Sequence, residues 1–532
     1  MDQTAPMEEE YFMEDTSRLL EAASDFALYP GVQNDAAAKE FLDRFPLPVI
    51  ISALQARADV PGLESTLVNC LERVFKTKYG ASLIPHFMPF VQVGLQAASQ
   101  EVRCLACKTV SCLLENSDEK SLSAVKIIIE YNIYPLLLDC LVNGNEQVAA
   151  ASMDAIKTLA CLQRGTNIVF PASDSEVTHL RNLAAQCSSL GRVRVLALIV
   201  KLFSVSSSVA SIIYSSNLLS LFEAEISNFQ DTLVTLSVLE LLYEMVEIRH
   251  ATEILSRTEL LQLLASIISN SSLESILRSR AMMICGRLLS KEDTYMFTDE
   301  SSVRVVVSAI DGRLSSSESL DTDECEAALE ALGQIGLSTQ GAELLLLSTY
   351  SVARHVVYAA FDRQGRGKQL AALHALGNLA GEARSDNSVI LNGSAEETLR
   401  LLIYEAASRS PKLTPSGLFL SVLQQEAETR LAGYRPITAL VARPWCLMEI
   451  CSKEEIVDIV TDPSIETTKI GMEARYGCCQ AIHKAFTRST KLMSDPSLAG
   501  IASKLQDAVR RGPFLARRRS EAQPVVMTAE RF

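Results

Sequence analysis

A chain of 532 residues is too long to share one compact hydrophobic core, and it would usually divide into several domains. Its formal net charge of −15 argues against binding to a nucleic-acid backbone, which needs a basic face, and against an anionic membrane surface. The same charge favours a protein partner that carries basic patches or tails.

The first 34 residues predict an acidic, mobile N-terminal arm. The stretch MDQTAPMEEEYFMEDT has neither the basic start nor the apolar centre of a secretory signal, and no apolar run approaches the roughly 18 residues of a membrane span. Apolar residues at helical spacing in YFMEDTSRLLEAASDFAL favour one marginal helix within the arm. We therefore expect a cytoplasmic chain without membrane partners, and the nucleus stays open as a second compartment.

From residue 35 to residue 511 a repeated pattern predicts an all-α fold, an armadillo/HEAT-type α-solenoid. Seven 14-residue segments stack without gaps, and their starts lie 41 to 48 residues apart. Armadillo and HEAT repeats have a period of about 40–47 residues. A globular helical protein with coincidental periodicity is disfavoured, because that class rarely keeps one period over so many units. The segments begin at Arg103, Ala150, Val193, Val234, Leu277, Cys325 and Gln369.

Each segment is an amphipathic helix followed by a second apolar helix. The eighth position of six segments is Val, Leu or Ile, and only Lys157 departs from this. The second helices are predicted as single elements, for example AVKIIIEYNIYPLLLDCL from Ala124 and ATEILSRTELLQLLASII from Ala251. Neither helix alone can bury its apolar stripe, so neighbouring repeats must stack.

Two polar stretches interrupt or end the repeats. The sequence DGRLSSSESLDTDE, residues 311–324, predicts a solvated loop and a candidate phosphorylation target. Residues 512–532 carry Arg517, Arg518 and Arg519 and predict a disordered C-terminal tail.

Few residue patterns suggest catalysis or metal binding. Cys104 and Cys107 form a C-x-x-C pair, but no second pair or βαβ context supports zinc or redox chemistry, so core packing is the favoured role. No histidines have the H-x-x-x-H spacing of a metal site. We expect no enzyme, metal or cofactor; a helical enzyme whose active site is built from scattered residues is the disfavoured alternative.

The candidate protein-binding residues are polar side chains at the ends of repeat helices. Asn378 is similar to the asparagine with which armadillo importins hold peptide backbones, but the equivalent positions in earlier repeats hold Gln334, Tyr243 and Gly286. An importin-type groove is therefore disfavoured. Helix capping and solvated faces compete as explanations for each candidate. The candidates are Asn116, Asn378, Glu382 and Arg384.

Several motifs in order along the chain resemble the 26S proteasome non-ATPase regulatory subunit 5 family. ERVF ends one helix, EVR starts a later helix and LLEN ends that helix. EALGQIGLSTQGAELLL follows in the middle repeats. Residues 443–445, the helix around 474–481 and GPF at 512–514 are similar to the C-terminal pattern of the family. The resemblance covers roughly residues 36–515, and the order of the motifs carries it.

The resemblance implies an assembly chaperone of the proteasome regulatory particle base. Members bind the C-terminal domain of a base AAA ATPase, meet a large non-ATPase base subunit, and leave before the mature proteasome forms. We expect a monomer when free. The alternative is a general armadillo-repeat scaffold or transport adaptor that binds basic peptides. The resemblance does not identify which residues of this chain contact a partner.

Overall fold

The computed structural model describes residues 5–32, 34–55, 61–116, 122–171, 179–316, 321–385 and 389–514. Within these residues every regular element is a helix, so the all-α prediction is confirmed. The helices form two compact units, an N-terminal unit of residues 1–254 and a C-terminal unit of residues 255–532. Domain limits at residues 35 and 511 stay a prediction.

The helices of the N-terminal unit are α1 (Ala5–Leu28), α2 (Asp35–Arg44), α3 (Leu47–Gln55), α4 (Leu63–Phe75), α5 (Lys78–Leu83), α6 (Met88–Leu95), α7 (Gln100–Glu115), α8 (Leu122–Glu130), α9 (Ile133–Asn143), α10 (Glu146–Cys161), α11 (Gln163–Val169), α12 (His179–Gln186), α13 (Ser189–Phe203), α14 (Ser207–Ser215), α15 (Ser220–Ser227) and α16 (Thr232–Glu247). Helix α17 (Ala251–Leu255) ends at the division, and a 3-10 turn, Ile84–Phe87, joins α5 to α6.

The helices of the C-terminal unit are α18 (Leu260–Ser269), α19 (Ser275–Leu289), α20 (Thr294–Phe297), α21 (Glu300–Ser315), α22 (Thr322–Ile335), α23 (Thr339–Leu347), α24 (Val352–Phe361), α25 (Arg366–Ala380), α26 (Gly393–Arg409), α27 (Pro415–Leu423), α28 (Ala427–Leu440), α29 (Pro444–Cys451), α30 (Glu454–Thr461), α31 (Lys469–Arg488), α32 (Thr490–Met493) and α33 (Ala499–Arg511). A 3-10 turn, Pro496–Leu498, precedes α33.

The repeating unit has three helices, and the third is the long one. All seven stacked segments of the sequence fall in third helices, from α7 to α25, and the repeat prediction is confirmed. Within each unit the third helices lie against one another in chain order. Three helices in a period of about 40–47 residues are typical of armadillo repeats, whereas HEAT repeats have two.

The prediction of single second helices is wrong, because each is broken in two. The apolar run from Ala124 divides at Asn132, whose φ of 49° places it in the left-handed region that asparagine tolerates. The run from Ala251 divides into α17 and α18. Helices α23 and α24 meet at an angle of 95°. These breaks supply the extra helix of the three-helix repeat.

Polar caps start several of the third helices. Ser99 accepts a hydrogen bond from the Val102 amide at 3.3 Å, and Asn145 accepts one from the Val148 amide at 2.9 Å. Such caps satisfy amide groups that the first helical turn leaves without partners, and each typically contributes about 1 kcal/mol. Capping therefore helps to fix where these helices begin.

Arginines near the start of several third helices join their repeats to earlier backbone. Arg103 Nε donates to the Leu95 carbonyl at 3.1 Å, Arg194 Nη1 to Gly144 at 2.7 Å and Arg475 Nη1 to Val460 at 2.6 Å. The accepting carbonyls lie at the ends of helices, where the backbone leaves them unpaired. The guanidinium groups neutralise the negative helix ends as well.

Small residues let the third helices of the C-terminal unit approach closely. A Cβ atom on Gly286 would lie 2.8 Å from Ala331 Cα, and one on Gly333 would lie 2.8 Å from Ala375 Cα. Both distances are shorter than carbon contacts allow, since optimal separation is about 3.5–4.0 Å. The backbone spacing in this row thus depends on glycine facing alanine.

The stretch expected to be a solvated loop, residues 311–324, is largely helical. Helix α21 continues to Ser315 and α22 begins at Thr322, whereas residues 317–320 lie outside the described part. Glu324 is only 1% exposed and binds Arg278 and Arg313. The loop prediction was therefore wrong at both ends. Its polar residues include Glu324, a buried carboxylate that forms ion pairs.

The second half of the expected N-terminal arm contacts the first repeats. Leu19 and Ala23 of α1 are buried, and the Phe26 and Phe41 rings lie 4.8 Å apart between centroids. Arg73 Nη1 donates to the Tyr29 carbonyl at 2.6 Å. The mobility of residues 1–34 stays a prediction, and residues 515–532 of the expected tail lie outside the described part.

Across the described residues, no single helix is both long and apolar enough to cross a membrane. The bent pair α23 and α24 reaches that length and composition only when its two helices are taken together. Leu345, Leu346, Val356 and Val357 of this pair are buried within the C-terminal unit.

Candidate functional site

The four predicted binding residues fall in two places. Asn116 lies alone in the N-terminal unit, at the end of α7, where its Nδ2 donates to the Cys112 carbonyl at 2.9 Å. The Cys112 carbonyl also accepts the Asn116 backbone N–H at 3.1 Å, so the side chain adds a second bond at the helix end. Asn378, Glu382 and Arg384 lie together at the end of α25, so this region of the C-terminal unit holds the candidate site.

Asn378 joins three third helices. Its Nδ2 donates to the Gly333 carbonyl of α22 at 3.1 Å, and its Oδ1 accepts from Arg435 Nη2 of α28 at 3.1 Å. The residue is 8% exposed. Both ends of the amide are therefore used within the chain, and a bound peptide backbone would have to displace these bonds.

Arg435 also holds Glu382 and His374. Its Nη2 lies 2.8 Å from Glu382 Oε2, and its Nη1 lies 2.5 Å from His374 Nδ1. A guanidinium can only donate, so Nδ1 is the acceptor and the histidine proton sits on Nε2. Burial and the Arg435 charge lower the pKa of His374 below its usual value. The histidine is consequently neutral at pH 7.

Arg384 binds the carbonyl ends of two helices. Its Nε and Nη2 donate to Leu337, Gly336, Asn378 and Leu379 oxygens at 2.8 to 3.2 Å. Burial, and then the nearby Arg443 charge, lower the pKa of Arg384 to about 10. The side chain stays charged at neutral pH and ties α22 to α25. The roles of the four residues in binding a partner stay predictions.

A cavity of about 580 Å³ opens beside Glu382 and Arg384. Its walls come from residues 381–384, 389 and 390, from residues 438–448 and from residues 481–492. Among the described lining side chains the cations are Arg384, Lys484, Arg488 and Lys491. Glu382 is the carboxylate among the same described side chains, and Arg435 binds it. We call this space the basic cavity.

One wall of the basic cavity follows from the spacing of residues on α31. Ala481, Lys484, Ala485 and Arg488 recur at three- and four-residue intervals, which places them on one helix face. The alanines leave room between the helices, and Lys484 and Arg488 are exposed. This spacing is present in the sequence, but no binding role was predicted for residues 481–488.

The opposite wall is apolar. Val441, Ala442 and Leu447 line it, and Met448 and Ile390 remain 43% and 48% exposed at its edge. Exposed large apolar side chains beside polar ones are typical of interaction sites. The basic cavity thus combines an apolar surface with a cationic edge.

The cysteines lie mostly in the core. Cys104 and Cys107 are 8% and 0% exposed, and burial raises the pKa of Cys104. Cys140 differs, because a hydrogen bond from Cys107 and the Arg103 guanidinium 3.6 Å away lower its pKa to about 7. The described residues include no group of three or more His, Cys, Asp or Glu side chains arranged to bind a metal.

Comparison with known proteins gives one consistent family. A family model described as the proteasome non-ATPase 26S subunit matches residues 63–529. The bovine and human 26S proteasome non-ATPase regulatory subunit 5 are each 19% identical to this chain, and the alignments cover 84% of this chain and 84% of each relative. The mouse protein of the same description is 19% identical over 79% of this chain. The crystal structure of an engineered protein is 14% identical, covers 80% of this chain and 99% of its own, and has a TM-score of 0.43.

Proposed function

Because the chain belongs to the proteasome non-ATPase 26S subunit family, we propose that it is a non-enzymatic assembly chaperone of the regulatory particle base. It binds the C-terminal domain of a base AAA ATPase, together with a large non-ATPase base subunit, and leaves before the mature proteasome forms. The chain works in the cytoplasm, with the nucleus as a second compartment, and is a monomer when free. The family match over most of the chain is the observation that carries this proposal.

The repeat architecture supports binding of a folded domain. Within each unit the rows of stacked helices offer an extended surface, and repeat proteins use such surfaces to hold large partners. A standard protein interface needs about 800 Å² from each partner, which the basic cavity alone cannot supply. The net charge of −15 favours partners with basic surfaces. Release needs only later assembly contacts that compete for the same surface.

The hydrogen bonds of Asn378 weaken the case for a peptide adaptor. That function would use the asparagine amide to hold a peptide backbone, whereas here Gly333 and Arg435 occupy it. The proposal assigns no catalytic or cofactor-binding residue.

The experiment is native affinity purification of the tagged chain, followed by quantitative mass spectrometry. We expect one or two base ATPases and a large non-ATPase base subunit, with core-particle subunits at the level of an untagged control. Recovery of intact proteasomes would mean a resident subunit and would contradict the proposal. Recovery of transport cargo without base subunits would favour the adaptor alternative.

Pulse labelling distinguishes a chaperone from a resident subunit more sharply. Newly made ATPase subunits should be over-represented among the co-purifying proteins shortly after the pulse, and their labelled fraction should fall toward the cellular average during the chase. A resident subunit would instead bind ATPases of average age at every time. A constant labelled fraction equal to that of total ATPase would refute the proposal.

A further inference from the structure

A different cavity, of about 290 Å³, opens in the N-terminal unit. Helices α3, α4, α6 and α7 supply its walls, together with the 3-10 turn before α6 and residues 97–99 of the loop after it. Three rings line it, those of Phe75, Phe87 and Phe90, and we call it the aromatic groove. Glu64 is the single charged side chain among its described lining residues.

Helices α3 and α6 come from stretches of sequence without charge. Residues 45–56 and 79–100 contain no Asp, Glu, Lys or Arg, although these four types make up 21% of the chain. Surface helices normally carry charged or polar residues on the side that faces water. On α6, by contrast, Phe90 and Val93 are 40% and 59% exposed and line the groove. Exposed apolar side chains that adjoin an apolar groove are typical of an interaction site.

Small residues and paired rings give the aromatic groove its shape. A Cβ atom on Gly94 would lie 3.1 Å from Ala106 Cβ, so α6 and α7 approach closely where both residues line the groove. The Phe87 and Phe90 rings lie 6.2 Å apart between centroids, which is within the usual range for aromatic pairs. The volume is close to the lower end of the roughly 300–1,000 Å³ range of ligand cavities. The groove therefore accommodates a few large side chains.

The charges beside the groove are few. The Glu64 carboxylate is exposed and accepts a hydrogen bond from the Ser99 hydroxyl. Lys108, on the same helix as part of the lining, binds Glu72 at 2.7 Å. Residues 56–60, between α3 and α4, lie outside the described part, and their sequence, ARADV, adds one cation and one anion. A charged group placed against the rings would lose hydration without a counter-charge, so the groove selects uncharged side chains except at Glu64.

We propose that the aromatic groove binds a segment of a protein partner in which large apolar side chains lie next to a Lys or Arg. The apolar side chains cover Phe90 and Val93, and the cation faces Glu64. A second copy of this chain is disfavoured because two molecules of charge −15 repel each other. Nucleic acid is disfavoured because the described lining offers no cation to a phosphate. The inference goes beyond the proposed function and does not depend on it.

The test begins with two parallel selections from a phage-displayed library of random 12-residue peptides. One uses the immobilised full-length chain and the other uses its Val93→Lys variant. We expect the native chain alone to enrich peptides that carry Phe, Leu, Met or Trp beside Lys or Arg. Enrichment of the same peptides by both proteins, or of none by the native chain, would overturn the inference. Selected peptides are then synthesised with a fluorophore, and their dissociation constants are measured by fluorescence anisotropy.

Matched variants locate the binding. Val93→Lys should weaken peptide binding tenfold or more, which corresponds to about 1.4 kcal/mol, because it removes an apolar contact and adds an unpaired charge. Val93→Thr keeps the shape without charge and should weaken binding less. Val305→Lys makes the same change at a valine of the C-terminal unit that is 49% exposed, and it should leave binding unchanged. Equal losses for Val93→Lys and Val305→Lys would contradict the proposed site. Phe90→Ser should also weaken binding and keeps the site testable if Val93→Lys does not fold.

The position of the cation is tested at Glu64. Glu64→Gln should weaken binding of the selected peptides about two- to fivefold, the usual range for an exposed ion pair. Peptides whose Lys or Arg is replaced by Gln should bind the native chain and Glu64→Gln equally. A loss of the same size for both kinds of peptide would contradict the contact between the cation and Glu64.

Two other occupants are tested in the full-length chain. Light scattering at increasing concentration detects self-association, and a dimer that Val93→Lys abolishes would make a second copy the occupant. Replacing residues 56–60 with glycine and serine should leave the peptide dissociation constants unchanged. Tighter peptide binding after that replacement would mean that a segment of the chain itself occupies the groove. Either result would overturn the inference.

Discussion

The buried carboxylate of Glu324 should be essential to the stability of the C-terminal unit. Its two oxygens accept from Arg278 Nη2 at 2.6 Å and from Arg313 Nε at 2.7 Å, which joins α19, α21 and α22. Glu324 and Arg278 are 1% and 7% exposed. Glu324→Ala would leave Arg278 buried without its counter-charge, at a cost of about 3–5 kcal/mol.

Thermal unfolding followed by circular dichroism measures this cost. One kcal/mol shifts Tm by about 2–4 °C in domains of 150–250 residues, so Glu324→Ala should lower Tm by on the order of 10 °C. Amide exchange should accelerate in α19 and α22. The matched control is Glu300→Ala, whose carboxylate forms an exposed pair with Arg304 and should leave Tm nearly unchanged. Equal shifts for the two variants would refute the argument that burial makes the Glu324 ion pairs essential.

The dependence of the effect on pH follows from the same contacts. Burial alone would raise the pKa of Glu324, but hydrogen bonds and charges from Arg278 and Arg313 outweigh burial and hold the pKa below its usual value. A pKa that is lower in the folded state gives stability that is present above the unfolded pKa, about 4.3, and is lost as pH falls through the folded value. The Tm difference between the native chain and Glu324→Gln should therefore be constant from pH 6 to 8 and shrink below about pH 4.3. A difference that grows on acidification would show the opposite sign and contradict this assignment.

Two further predictions test the packing. Gly333→Ala should lower Tm because its Cβ would lie 2.8 Å from Ala375 Cα. The control Gly477→Ala has no atom within 4 Å of the new Cβ and should raise Tm, because alanine favours the helix by about 1 kcal/mol. Tm shifts of the same sign for the two variants would refute the close approach of α22 and α25. In native alkylation at pH 7.5, mass spectrometry should find the exposed Cys161 modified first, and Cys478, whose pKa burial raises to about 12, modified only in denaturant. Equal rates for the two thiols would contradict the buried position of Cys478.

The repeat could be predicted from the sequence because burial imposes a period. Each third helix needs an apolar stripe at the same depth of the stack, so residues such as Val110, Leu332 and Leu376 recur at equivalent positions. The break in the run from Ala251 could not be seen, because residues 256–259 contain neither Gly nor Pro, whereas the run from Ala124 carries Pro135 just after its break. Asn132 was the available signal in one run, since asparagine tolerates a positive φ.

The ion pairs required contacts that no local pattern specifies. Arg278 and Glu324 are separated by 46 positions, which is one repeat, and their pairing depends on the stacking of two third helices. The sequence did place Arg103 and Arg194 near the starts of segments, and an arginine that recurs with the repeat period could have predicted a structural role. Because the recurrence of arginine was not used, Glu324 was predicted to be a solvated loop residue.

The candidate site was located in part from the sequence. Glu382 and Arg384 line the basic cavity, but Asn116 lies in the other unit, and Asn378 is bound within the row of third helices. Helix-end polarity could identify the first two because capping groups and cavity edges both occur where helices stop. Helix-end polarity could not identify Ala485, whose small side chain leaves space between the helices that line the cavity.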